Sequence, residues 1–270
     1  MSQFLEKSFF SYKQNKYPMS YSPENIDFAL NYKPLDSDIF LVTYPKCGTS
    51  WTQQILYLIL NDGNPINDKN FVNNTILEYK GRDCMRTPVI KTHLSFNLLP
   101  FNESTKYFYV IRNPKDTTVS YYNHLNMRFN YDFHYFFKHF ITGQIPYGDY
   151  FDHLLSFWSH RMHPNICLLV YEQMKANTRD SVLKIGRFLG PEYENKLIEN
   201  NQLVLNKVLK YSSIEFMKND FKDNSFIVRN GTVGQWKEYL NSEENHLITN
   251  KFNSFFKETQ LYTIWRQIME

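Results

Sequence analysis

Thr43 to Trp51 reads TYPKCGTSW, a run that crowds a lysine, a glycine and several hydroxyl groups together. Ahead of a helix, such a run can hold an anion: the first backbone N–H groups of a helix lack partners, and the helix dipole adds partial positive charge. Gly48 lets the backbone approach a ligand closely. Thr49 and Ser50 add hydroxyl donors, and Lys46 adds a full positive charge. The nucleoside-triphosphatase loop, G-x-x-x-x-G-K-[ST], puts its lysine after the second glycine, whereas Lys46 precedes Gly48. A phosphatase-like thiolate at Cys47 would draw on the same helix start. Where such enzymes carry an arginine, however, this chain has Gln53.

A second segment of the same design is YFYVIRNPKDTTVSYYNH, Tyr107 to His124. Asn113 suits a helix N-cap and Pro114 a first helical position. Arg112 stands at the end of the preceding apolar run, where its planar fork can take a phosphate in two-pronged fashion. Ser120 lies about two helical turns further on. Taken alone, this segment is better read as an arginine in a surface salt bridge and a serine on a solvated face. Between the two lies KTHL, Lys91 to Leu94, whose His93 has the side chain best suited to proton transfer near neutral pH.

The elements that must position these residues follow from periodicity. Ile39 to Tyr44 is a short apolar, β-branched run, and it reads as a buried strand. Thr49 to Asn61 reads as a helix with Trp51, Ile55, Leu58 and Ile59 on one face, stopped by Asn61-Asp62-Gly63. Further strands are expected at Val89 to Thr92, Tyr107 to Ile111 and Ile166 to Tyr171, and helices from near Pro114, Tyr150 and Asn177. Alternating strands and helices predict an α/β fold: a single domain with a central parallel sheet flanked by helices, and a P-loop-like segment at its first strand-to-helix turn. Residues 1–37 read as an irregular leader, 38–270 as the domain, 61–87 as a long loop, and the stretch after Gly190 as helices and loops.

Composition narrows the function. A formal net charge of +3 argues against a broad nucleic-acid-binding surface while leaving room for a local anion pocket. Cys47, Cys84 and Cys167 show neither zinc spacing nor the pattern of a secreted disulfide framework. No run approaches the ~18 apolar residues of a membrane span, and MSQFLEKSFFSYKQNK has no apolar stretch of signal-peptide length. A cytoplasmic, membrane-free location is the expectation.

Together these segments resemble the cytosolic sulfotransferase family. TYPKCGTSW looks like its 5′-phosphosulfate loop and YVIRNPKDTTVSYY like its 3′-phosphate motif. KTHL is similar to its catalytic segment, and RNGTVGQWK (Arg229 to Lys237) to its C-terminal glycine-bearing motif. VYEQMK (Val170 to Lys175) falls in the expected place, so the resemblance runs from about Ser37 to Lys237 in the family's order and spacing. It implies a co-substrate, 3′-phosphoadenosine 5′-phosphosulfate (PAPS), with adenosine 3′,5′-bisphosphate (PAP) as product and no metal. It puts Lys46, Cys47, Gly48, Thr49, Ser50 and Trp51 around the 5′-phosphosulfate and adenine. Arg112 and Ser120, with Arg229, Asn230 and Gly231, would hold the 3′-phosphate, while Tyr171, Ser212 and Met217 would surround adenine and phosphates. His93 matches the catalytic base and Lys91 the lysine just before it; Lys91 would steady the sulfuryl oxygens or be a solvated neighbour, and Lys46 would stabilise the leaving oxygen.

Some positions depart from the pattern. Cys47 stands where a small residue such as serine is usual, and Asn230 replaces a usual lysine. The family's dimer motif, K-x-x-x-T-V-x-x-x-E, is replaced by KEYLNSEENH from Lys237, which implies a monomer or an atypical dimer. Six of the eight histidines fall between His124 and His163 among many rings, and they lack carboxylates or thiols at ligand spacing; a packed or lid-like aromatic segment is expected there. By resemblance, Phe151 and His153 fall where acceptor-pocket residues occur, and aromatic walls would favour a phenol or another flat apolar alcohol. The competing readings are a nucleotide kinase, a PAP-binding protein with lost or weak catalysis, and a carbohydrate sulfotransferase of the secretory route. The misplaced lysine opposes the first, Lys46 and His93 the second, and the absence of an anchor the third.

Overall fold

The computed structural model describes residues 8–65, 74–86, 88–129, 132–220 and 231–270. In chain order the elements are β1 (Phe9–Tyr12), β2 (Asn15–Pro18), α1 (Pro23–Leu30), β3 (Ile39–Thr43), α2 (Thr49–Leu60) and α3 (Leu77–Lys80). Then come β4 (Ile90–Thr92), β5 (Lys106–Ile111), α4 (Pro114–Phe129), α5 (Phe133–Ile141), α6 (Tyr150–Trp158) and β6 (Ile166–Val170). The rest is helical: α7 (Tyr171–Ala176), α8 (Thr178–Leu189), α9 (Pro191–Ile198), α10 (Leu203–Tyr211), α11 (Ile214–Asp220), α12 (Ser242–Phe256) and α13 (Gln260–Met269).

The four strands β4, β3, β5 and β6 lie side by side in that order, all parallel. Side-chain alternation splits the sheet between two cores. Phe40, Val42, Tyr107, Tyr109 and Ile111 face a layer that includes Phe136, Phe140, Phe157, Phe252 and Trp265 of α5, α6, α12 and α13. Leu41, Phe108 and Val110 face Ile55 and Leu58 of α2, Ile185 of α8 and Val208 of α10. Both faces are covered, so residues 39–42 of β3 and 107–111 of β5 are apolar without interruption, the pattern from which they were read. Each such large side chain contributes roughly 1.5–3 kcal/mol on burial.

Two stretches differ from expectation. Residues 8–37, expected to be irregular, carry the β1–β2 hairpin, which turns at Lys13 and Gln14 with positive φ, and the helix α1. Ser22 caps that helix by accepting from Asn25 N–H at 3.2 Å, and Pro23 takes its first turn. The stretch expected as a loop between Asn61 and Thr87 includes α3, whose Leu77 and Glu78 are fully buried. Ile76 bridges to Lys91 at the outer edge of β4. Elements of four residues carry too few periods for pattern to separate them from loops. Of the aromatic segment expected between His124 and His163, α5 is packed: Phe133, Phe136, Phe137 and Phe140 bury one of its faces, while residues 130 and 131 lie outside the described residues.

Candidate active site

The loop after Thr43, His93, Arg112 and Tyr171 lie just beyond the C-terminal ends of β3, β4, β5 and β6, the usual place for ligands in such sheets. β3 delivers Thr43 and the loop to α2. Gly48 is the N-cap of that helix with φ of 101°, and Lys46 takes a φ of 71°. A non-glycine residue in this left-handed region is uncommon, and such residues cluster at binding sites. A Cβ at Gly48 would come within 2.7 Å of the Tyr171 ring. The loop glycine is therefore required by α7 as well as by backbone conformation.

Tyr171, the first residue of α7 and nearly fully buried, is the point on which the predicted segments converge. The Trp51 ring meets it edge-on at 5.6 Å, and the Arg112 guanidinium lies 4.4 Å from its ring centre. A Cβ on Gly231 would approach its hydroxyl to 3.2 Å. Trp51 Nε1 donates to the Ser212 carbonyl at 2.9 Å. Ser212, between α10 and α11, and Met217, within α11, are buried. Arg112 donates to the Lys46 carbonyl at 3.3 Å and to the Thr232 carbonyl at 3.1 Å, tying the loop to the segment after Gly231. Arg112 Nε and Ser212 Oγ, both buried, have no hydrogen-bond partner among the described residues. An unpaired buried guanidinium nitrogen of this kind fits an anion beside Tyr171.

α4 begins as its sequence predicts: Asn113 Oδ1 accepts from Asp116 N–H at 2.9 Å. Ser120 sits half-buried on this helix, one turn before His124 on the same face. His124 Nδ1 lies 3.5 Å from Lys46 Nζ. Arg229 and Asn230 lie outside the described residues. The Cys47 thiol turns into the core toward Thr117 Oγ1 at 3.7 Å, so its side chain does not join the loop's donors.

His93 follows β4. Its Nδ1 donates to the Thr43 carbonyl at 2.8 Å, which leaves Nε2 with the lone pair. The Tyr147 ring meets the imidazole edge-on at 5.2 Å. The buried Glu78 carboxylate grips the segment, accepting from His93 N–H and from Thr92 Oγ1, both at 2.8 Å. Lys91 is buried one strand position before Thr92 and donates to Gln53 Oε1 at 3.2 Å.

A family model described as a sulfotransferase domain matches residues 36–261. The chain belongs to the sulfotransferase family. It is 38% identical over 220 residues to luciferin sulfotransferase of Photinus pyralis, an alignment that spans 68% of this chain and 58% of that protein. With sulfotransferase 1B1 of Mus musculus it shares 30% identity over 277 residues, 90% of this chain and 89% of the relative. Its fold is that of the mouse sulfotransferase SULT7A1 crystallised in complex with PAP, with a TM-score of 0.81 and 24% identity over 97% of this chain and 99% of that one.

In this sulfotransferase, burial sets the protonation of the site. It pushes the His93 imidazole down to about 3; the bond to the Thr43 carbonyl opposes the shift, and positive neighbours, Lys91 and Lys46 among them, add to it. Lys91 falls to about 7, mainly through burial, with Glu78 pulling the other way. Burial pushes the Cys47 thiol up to about 12, which keeps it protonated and inert.

Of the two residues expected at the acceptor pocket, His153 is buried, within 3.0 Å of the Tyr109 hydroxyl and 3.1 Å of the His93 carbonyl. Phe151 packs in the core against Phe255. Both are on α6, whose apolar face is turned to the sheet. Sequence reasoning missed Glu78, Asp116 and Glu172. Asp116 accepts from Gly234 N–H at 2.7 Å and Trp236 N–H at 3.1 Å, so the sulfotransferase's C-terminal glycine segment hangs from the first turn of α4. Glu172 accepts from Asn113 N–H at 2.9 Å and from Trp265 Nε1 at 3.0 Å. Asp116 and Glu172 do flank motif residues, and a charged residue predicted to be buried was the signal available.

Among the described residues no helix is long and apolar enough to cross a membrane.

Proposed function

We propose that this sulfotransferase transfers a sulfuryl group from PAPS to a small hydroxyl or amine acceptor, phenol- or alcohol-like, with His93 as general base. The observation that carries the reading is the convergence on Tyr171 of both strand-to-helix junctions, with Arg112 Nε unpartnered among the described residues beside it. The residues present fit the donor. The first N–H groups of α2, the Ser50 hydroxyl and Lys46 would take the 5′-phosphosulfate; Trp51 and Tyr171 would take the adenine; Arg112, Ser120 and Gly231 would take the 3′-phosphate. When bound, the donor supplies the activated sulfuryl group.

The protein's own part is positioning and charge stabilisation. The Thr43 carbonyl fixes the His93 tautomer, so Nε2 can accept the acceptor's proton as its oxygen or nitrogen attacks sulfur. Lys46 balances charge on the oxygen that departs with the nucleotide. Tyr147, edge-on to His93, provides an apolar wall for a flat acceptor.

The test is transfer of labelled sulfate from PAPS to a panel of phenols, alcohols and amines, with His93→Gln run in parallel. The expected result is turnover on at least one hydroxyl or amine class and a loss of about 10²–10⁴-fold in His93→Gln with PAP binding retained. Unchanged turnover in the variant removes His93 from the mechanism. PAP binding without turnover on any acceptor favours a nucleotide-binding protein instead.

A further inference from the structure

Lys175 follows Tyr171 by one helical turn on α7, a spacing that puts both side chains on one face. Its ammonium reaches over the cluster already described, 5.8 Å from the centre of the Trp51 ring, and the residue is half-buried. Arg112 lies over the other partner of that ring pair, Tyr171. Two cations are thus brought to one aromatic pair. Burial lowers the Lys175 pKa, and the Arg112 charge lowers it further. Like charges in partly desolvated surroundings disfavour each other, and an anion between them removes that penalty. The nearest acidic residue on the same helix does not serve: Glu172 is committed to Asn113 and Trp265.

We propose that Lys175 is a further nucleotide-binding residue, adding its charge to that of Arg112 in holding the 3′-phosphate of the donor. The inference rests on the donor reading above. A 3′-phosphate brings roughly two negative charges, more than the Arg112 guanidinium, the cation assigned to it among the described residues, balances by itself. Lys175 comes from an element outside both strand-to-helix loops, which makes the nucleotide end of the site depend on α7 for charge as well as for the Tyr171 ring.

The test is calorimetric titration of wild type, Lys175→Gln and Lys175→Arg with PAP and with adenosine 5′-phosphosulfate, which lacks the 3′-phosphate, at low and high salt. Lys175→Gln is expected to bind PAP about tenfold more weakly, with a shallower salt dependence, and to bind adenosine 5′-phosphosulfate as wild type does. Lys175→Arg is expected to keep PAP affinity. Unchanged PAP affinity in Lys175→Gln, or equal loss for both ligands, would overturn the assignment. Failure of wild type to bind PAP would instead sink the donor reading on which it rests.

Discussion

Nδ1 of His93 is spent on the Thr43 carbonyl, and the imidazole is neutral well below the ordinary histidine range. Loss of the base form on acidification is therefore displaced to low pH in the free enzyme. The kcat/KM profile is expected to stay flat on its acid side through pH 6.5, the ordinary histidine value, and to fall only at lower pH. The donor's negative charge favours the imidazolium, so the acid limb of kcat, which reports the complex, is expected at higher pH than that of kcat/KM. A kcat/KM limb at an ordinary histidine pKa would show that another group, or a more solvated His93, controls transfer. His93, Lys46 and Arg112 were legible because they sit in motifs whose neighbours explain them. Glu78 was not: it lies in a stretch that reads as a loop, and its partners, Thr92 and the His93 N–H, are distant in sequence.

The first turn of α4 does more than start a helix. Arg112 and Asp116 together hold the segment from Gly231 to Trp236 by one carbonyl and two N–H groups. Asp116→Asn leaves at least one of those N–H groups with a poorer acceptor. A stability loss of about 1–3 kcal/mol is expected, with PAP affinity falling as the Gly231 segment loosens, measurable by thermal unfolding with and without PAP. An unchanged midpoint and unchanged PAP affinity would show that the segment is held by its apolar contacts, such as buried Trp236. At this scale β3, β5, β6, α2 and the start of α4 were legible from uninterrupted apolar runs and from caps. The β1–β2 hairpin and α3 were not, since each has four-residue elements whose order comes from tertiary burial, as Tyr17 and Leu77 show.

Across the whole molecule, the acid side of the stability curve is set in part by buried histidines. His93 and His153 are held down to about 3 and about 4, mainly by burial. As pH falls below about 6.5 the unfolded chain binds these protons before the folded one does, so stability is complete above that value and is lost as pH drops toward the folded pKa values. Lys91 and Lys115, lowered to about 7 and about 8 by burial, act in the same sense at higher pH, since the unfolded chain again binds more protons. The unfolding midpoint is expected to fall between pH 6.5 and 4, and His153→Gln is expected to flatten that slope. A slope unaffected by the substitution would assign acid sensitivity to other groups.

The central claim is that two strand-to-helix junctions, meeting at Tyr171, grip opposite ends of one nucleotide. Titration of PAP into wild type, Gly48→Ala and Arg112→Gln tests it most directly. The expected result is one PAP per chain in wild type and a loss of at least about tenfold in each variant, one striking the 5′ end and the other the 3′ end. No binding to wild type, or either variant binding as tightly as wild type, would contradict it.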